Sequence, residues 1–212
     1  ILVFRQIPGG PLGFWAPLPV PADTAYDMSM AIILLGGLKH CGKSTLGRIL
    51  AEDLGYKFFD MDDLTLEAAG GAWKSVRDIY RTAGKAEFQR LEADAARNFV
   101  DWNIPHLNGG GAILSLGGGT IENEGAMAWL GDKGHNIYIR APKDMLFQRV
   151  MDKGRPPFLS EETPEEDWSA LYDKRHLMYT DFASVIHDVD EAEAEINAQR
   201  LLVTLQKSEI RL

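Results

Sequence analysis

Residues 31–45 read Ala31-Ile32-Ile33-Leu34-Leu35-Gly36-Gly37-Leu38-Lys39-His40-Cys41-Gly42-Lys43-Ser44-Thr45. The run Ala31–Leu35 is continuously apolar, as a strand covered on both faces must be. A glycine turn follows, and then a helical pattern from about Lys43 to Leu54. Residues Gly37–Ser44 fit G-x-x-x-x-G-K-[ST] with a strand before and a helix after, the context in which that spacing cradles phosphate. Glycines let backbone N–H groups turn inward, and the helix N-terminus adds partial positive charge. Lys43 is placed to reach β- and γ-phosphates, and the Ser44 hydroxyl to ligate Mg²⁺. The expected nucleotide-binding set is therefore Gly37, Lys39, His40, Cys41, Gly42, Lys43, Ser44 and Thr45, with ATP and Mg²⁺ as cofactors. The plainer reading, a turn that only joins strand to helix, leaves the lysine and serine unexplained.

Working outward, short apolar runs alternate with helical segments. Strands are expected at Tyr56–Phe59, Ala112–Leu116, Asn136–Ile139 and Ser184–His187. Helices are expected over 62–69, 75–81, 84–100, 142–151 and 166–179, and after Asp190, with residues 152–165 as a loop. Such alternation predicts an α/β chain: a three-layer α/β/α P-loop fold with a five-stranded parallel sheet.

The first 29 residues differ in texture. Five of the ten prolines fall there (Pro8, Pro11, Pro17, Pro19, Pro21), with three charges. The prolines break any secretory or membrane-spanning helix. Residues 1–29 read as an extension or linker, the remnant of an upstream domain being one reading of it and a mis-called start another, with Met28 or Met30 as a natural start. Residues 30–212 read as one P-loop kinase domain. The chain carries 22 basic and 31 acidic residues, net charge −9. That argues against a nucleic-acid or anionic-membrane surface. The lone Cys41 rules out an internal disulfide and fits a reducing, cytoplasmic setting. A monomer acting on a small molecule is expected.

Asp60-Met61-Asp62-Asp63 follows the second strand. Strand C-termini border the ligand crevice of a parallel sheet, so Asp60 belongs on the same edge as the phosphate loop. Transfer to an alcohol needs one carboxylate to help hold Mg²⁺ and another to orient and deprotonate the acceptor. Asp60 suits the first role, together with Ser44, and Asp62 the second. Helix capping is the structural alternative. His40 and Cys41 read most simply as tolerated loop residues. The helix terminus and Lys43 also favour a thiolate, in which case alkylation blocks activity and ATP protects.

With these motifs placed, residues 30–205 resemble the shikimate kinases. Gly84-Lys-Ala-Glu-Phe88-Gln-Arg-Leu-Glu92 is similar to the family's G-E-x-x-F-R-x-x-E helix, and Leu114-Ser-Leu-Gly117-Gly118-Gly119 to its L-S-x-G-G-G turn. Gly154-Arg155-Pro156 resembles the R-P of the family's mobile lid, which implies such a lid at 152–165, and Arg175-His-Leu-Met-Tyr179 resembles the R-x-P-L-Y segment. The resemblance implies shikimate as acceptor, giving shikimate 3-phosphate. It makes Lys43, Asp62 and Arg155 the catalytic residues and sets Arg149 along the adenine. Asp62, Gln89, Gly117, Gly118, Gly119 and Arg175 would line the acceptor site, with Arg175 on the substrate carboxylate.

Three positions depart from the family pattern. Gln89 stands where the family has a second carboxylate-binding arginine, Lys85 replaces a glutamate, and His40 replaces a glycine. Neutral Gln cannot supply a bidentate cationic fork; Arg81 or Arg90 are candidates to cover for it. The alternatives are another acceptor such as gluconate, or a nucleotide-binding regulatory module without turnover. The remaining histidines (His106, His135, His176, His187) show no metal-ligand spacing. The five tryptophans read as packing, and the acidic residues at 161–167 as a lid flank and helix N-terminus.

Overall fold

The computed structural model describes residues 4–6, 15–17, 31–156, 159–208 and 210. Of the expected N-terminal extension, two short strands fall within these residues: β1 (Phe4–Gln6) and β2 (Trp15–Pro17), paired antiparallel.

The apolar run quoted above forms β3 (Ile32–Gly36), buried along its whole length. It sits at the centre of a parallel sheet whose other strands are β4 (Lys57–Asp60), β5 (Ala112–Ser115), β6 (His135–Arg140) and β7 (Val185–Asp188), in the order β4-β5-β3-β6-β7. Every pairing is parallel, with Leu34 opposite Leu114 on one side and Asn136 on the other. The expected five strands are all present, each within a residue or two of its expected bounds.

Alternation along β3 explains the three layers. Ile33 and Leu35 join a core with Leu46 and Leu50 of α1 (Lys43–Leu54) and with Leu146 of α6 (Lys143–Asp152). Tyr172 and Tyr179 of α7 (Pro164–Phe182) and Leu201 of α8 (Ala194–Lys207) complete that core. Ile32 and Leu34 face the other way, toward Met61 and Leu64 of α2 (Met61–Ala68), Ala95 and Ala96 of α4 (Gly84–Asn98), and Ala126 and Leu130 of α5 (Glu124–Leu130). Each fully buried Leu or Ile contributes about 1.5–3 kcal/mol, so register is firmly set. Helix α1 lies close on the sheet because Gly47 lacks a side chain: a Cβ there would stand 2.6 Å from the Phe58 ring.

Some elements correct the sequence reading. Helix α5 was not expected; Asn123 caps it by accepting from the Ala126 N–H at 3.3 Å. Helix α4 stops at Asn98 rather than Val100, and Phe99–Asn103 widens into a π-helical turn before a 3₁₀ turn containing Pro105. Proline cannot donate to an α-helical ladder, which accounts for the switch. Helix α7 begins at Pro164, so the expected loop is two residues shorter, and Glu165, Glu166 and Asp167 sit in its first turn where negative charge is favourable. The expected helix over 75–81 is α3 (Val76–Thr82), with Ser75 as its cap, accepting from the Asp78 N–H at 3.1 Å. Among the described residues no helix is long and apolar enough to cross a membrane.

Candidate active site

The chain passes from β3 out to edge strand β4, returns to β5, then crosses β3 to reach β6. The crevice of such a sheet opens at the C-terminal ends of these strands. Four of the predicted groups meet there.

The loop after β3 runs through three left-handed residues: Gly37 (φ 149°), His40 (φ 65°) and Gly42 (φ 93°). A Cβ on Gly37 would stand 2.6 Å from the Ile139 carbonyl oxygen, so this glycine is required on two counts. His40 holds a conformation that costs an L-residue about 1–2 kcal/mol, which is the physical meaning of its departure from the family glycine. Helix α1 then starts at Gly42 with no side chain capping it and no acidic residue in its first turn. Its N–H groups and dipole therefore face the crevice. The Lys43 ammonium lies 3.4 Å from the Leu38 carbonyl oxygen, across the mouth of the loop.

Ser44 donates to Asp60 Oδ2 at 2.7 Å and lies 2.9 Å from the Ser115 hydroxyl, at the end of β5. Asp60 also caps α2 by accepting from the Asp62 N–H at 3.0 Å. One carboxylate thus caps α2 and accepts from Ser44. Asp62, half-buried, has its pKa raised, chiefly by burial and then by the Asp60 charge, with Lys43 and Lys39 opposing. A Cβ on Gly117 would lie 3.4 Å from Asp62 Oδ1, 3.3 Å from Glu92 Oε1 and 2.8 Å from Thr120 Oγ1. Asp62 thus lies beside the Gly117 turn and within reach of the Lys43 and Lys39 charges.

Gly118 abuts the phosphate loop, where its Cβ would stand 2.9 Å from the Lys39 amide nitrogen, and Gly119 abuts Arg175, 3.0 Å from Nη2. Arg175 is brought to the site but engaged: Nε and Nη2 donate to Glu122 Oε2 at 3.0 and 2.6 Å. Arg149 donates to the His40 carbonyl oxygen at 3.1 Å, tying α6 to the phosphate loop. Thr45 is exposed at the first turn of α1.

Other expectations meet less support. Arg155 donates within its own loop, to the Leu159 carbonyl oxygen and, at 2.6 Å, to Glu161. Arg90 is exposed and held by Glu87 and Asp94 at 2.7 Å each, so it does not replace the arginine missing at Gln89. Arg81 pairs with Asp78 at 3.2 Å. Cys41 is 2% exposed and packs against Gly37 in the core. The thiol belongs to the packing behind the loop, and the reactive reading is corrected.

Several groups escaped prediction. Glu92, 1% exposed, accepts from Thr120 Oγ1 at 2.6 Å and Asn123 Nδ2 at 2.7 Å. Burial raises its pKa against those two bonds. It was visible only as the last residue of a quoted motif. Ser115 was likewise visible only within the L-S-x-G-G-G turn. Glu122 carried no signal at all.

The shikimate kinase family model matches residues 39–206. The chain belongs to the shikimate kinase family. It is 28% identical to the shikimate kinase of Rhizobium leguminosarum bv. trifolii over 198 residues, covering 90% of this chain and 96% of the relative. It is 31% identical to that of Actinobacillus pleuropneumoniae serotype 5b, covering 80% and 92%. Among solved structures, a shikimate kinase from Acinetobacter baumannii in complex with shikimate superimposes with a TM-score of 0.71 at 26% identity, covering 85% of this chain and 96% of that one. The shikimate kinase of Aquifex aeolicus gives 0.67 at 25%, covering 85% and 99%. The sheet, its helices and its phosphotransferase chemistry are those of this family, whose phosphoryl donor is ATP.

Proposed function

We propose that the chain transfers the γ-phosphoryl group of ATP to a hydroxyl of shikimate, with Asp62 orienting that hydroxyl and taking its proton. The observation that carries this is the convergence of Ser44, Asp60 and Asp62 at the strand ends beside the phosphate loop, with Asp62 within reach of the Lys43 charge. The α1 N-terminus and Lys43 hold the terminal phosphates; the turn at Gly117, Gly118 and Gly119 lets the acceptor ring lie against bare backbone. The oxygens of Ser44, Asp60 and Ser115 converge, a hard-donor set that suits Mg²⁺. Ser44 and Asp60 would hold the ion, which supplies positive charge at the β- and γ-phosphates. Arg149 steadies the phosphate loop beside the base. Arg155 reaches the transferring group once its lid swings inward and releases Glu161, excluding water as it closes.

Residues 30–212 form the working domain in this reading and 1–29 an extension. The enzyme acts as a monomer in the cytoplasm, and its net charge of −9 supports a small-molecule acceptor over nucleic acid or an anionic membrane.

Coupled ADP release across an acceptor panel tests the proposal. Turnover with shikimate is expected, and Asp62→Asn should lower kcat by about 10²–10⁴ with ATP binding retained. Turnover with gluconate and none with shikimate would move the assignment to another polyol acid, a possibility that Gln89 raises. ATP binding with no acceptor-dependent ADP release would make it a regulatory module.

A further inference from the structure

Glu122 ends the 3₁₀ turn Thr120–Glu122 that follows Gly117, Gly118 and Gly119. Its own N–H donates to the Gly119 carbonyl oxygen at 3.0 Å, so its backbone is fastened to the glycine turn. Its carboxylate, only 14% exposed, is shared between two neighbours on α7. Oε2 accepts from Arg175 Nε at 3.0 Å and Nη2 at 2.6 Å, and Oε1 accepts from Lys174 Nζ at 2.5 Å. Burial works against the charge, but the bonds from Lys174 and Arg175 hold the Glu122 pKa below the usual carboxylate value. The group is therefore ionised at neutral pH, and the three side chains together keep a net positive charge.

A guanidinium has five N–H groups in a fixed plane. Glu122 takes one from Nε and one from Nη2, along a single edge. Both N–H groups of Nη1 and the second of Nη2 are left over, and Nη1 has no hydrogen-bond partner among the described residues. Nη1 and Nη2 form the end-on fork that grips a carboxylate through two parallel bonds. They lie 3.8 and 3.0 Å from the point where a Gly119 Cβ would stand, so the fork sits against the glycine turn. Asp62 Oδ1 meets the same turn at Gly117. Without Glu122 the long Arg175 side chain would have to be ordered by the acceptor itself, at a cost in rotamer entropy. Lys174, 63% exposed, answers the Glu122 charge from the solvent side and leaves the charge of the guanidinium uncancelled.

We propose that Glu122 is a positioning residue: it holds Arg175 by one edge, with Lys174 balancing its charge, so that the free fork selects an acceptor bearing a carboxylate. This rests on the acceptor-kinase reading above and names the groups that set its preference for an anion.

The test compares shikimate with its methyl ester, which keeps the ring hydroxyls and removes the negative charge. The wild type should prefer the acid. In Glu122→Ala the KM for shikimate should rise about tenfold, the scale of one charge-assisted contact. Its kcat, the KM for ATP and the KM for the ester should each stay within about twofold. Glu122→Gln keeps an oxygen for Arg175 and should bring the KM for shikimate back to within about threefold of the wild type. Lys174→Met leaves the Glu122 charge resting on Arg175 alone and should raise the KM for shikimate but not for the ester. A loss shared equally by acid and ester marks a purely structural role and overturns the assignment. A lowered KM for shikimate in Glu122→Ala also overturns it, since Glu122 would then be competing with the acceptor for Arg175. If the wild type releases no ADP with shikimate, the functional reading itself fails. Calorimetry of the acid and the ester on the wild type and Glu122→Ala then decides the point. A preference for the acid that the substitution leaves unchanged, or no preference at all, overturns the role of Glu122.

Discussion

The Tyr179 hydroxyl donates to the Gly117 carbonyl oxygen at 3.1 Å, linking the end of α7 to the glycine turn after β5. The Tyr179 ring also fills the space beside Gly36, where a Cβ would stand 2.7 Å from it, and stacks on Tyr138 at 5.3 Å. One side chain thereby fixes the heights of two loops at the crevice. Tyr179→Phe keeps the packing and removes the bond. It should cost about 1 kcal/mol, or about 2–4 °C in Tm. The KM for the acceptor should rise more than that for ATP. An unchanged melting curve would mean that the bond contributes nothing net.

His40 offers the opposite sign. It occupies a left-handed conformation at φ 65° that glycine adopts without steric cost. His40→Gly should stabilise the chain by about 1 kcal/mol in urea denaturation. The Arg149 bond to the residue-40 carbonyl oxygen survives, since it uses backbone. A destabilised variant would show that the imidazole makes compensating contacts.

Gly118 tolerates no side chain. A Cβ there would press on the backbone nitrogen of Lys39 at 2.9 Å, and backbone cannot step aside as a flexible side chain can. Gly118→Ala should lower kcat/KM on the order of a hundredfold by displacing reacting groups. The fold, judged by circular dichroism, should remain.

Cys41 is 2% exposed within the core. Mass spectrometry after iodoacetamide should find it unmodified in the native protein and modified in urea, with ATP making no difference. Rapid native alkylation with loss of activity would restore the reactive-thiol reading.

His187 gives a pH signature. Burial, foremost, holds its pKa below the usual 6.5, with the Arg200 charge adding and Asp188 opposing. Its Nδ1 lies 3.1 Å from Thr204 Oγ1. The unfolded chain therefore binds the proton more readily than the folded one. The contribution to stability is complete above about pH 6.5 and is lost as pH falls through the lower folded value. The urea midpoint should drop on acidification below that point, and His187→Gln should flatten this part of the profile.

The contrast between what could and could not be read in the chain follows sequence distance. The phosphate loop and the Asp60-Met-Asp62 turn are local patterns, so their positions at the ends of β3 and β4 were legible from the sequence. Strand β3 was legible because burial on both faces leaves an uninterrupted apolar run. The Ser44–Ser115 contact joins residues 71 apart, and Thr120 reaches Glu92 across 28. No periodicity encodes such pairings. Helix α5 was hidden because its Gly125 and the glycines before it read as turn. Glu122 looked like any surface glutamate until α7 brought Arg175 beside it. Side-chain partners within a loop are equally illegible: nothing in the sequence marks Glu161 as the partner of Arg155, or Cys41 as part of the core.

If the chain works as proposed, the close approach of Gly118 to Lys39 leaves a partition one backbone thick between the nucleotide and the acceptor. A partition that thin cannot yield on one side alone. Whatever free energy one guest gains by settling it is returned in equal measure to the other, because such coupling is reciprocal. The molecule is thereby built to register whether both guests are at home.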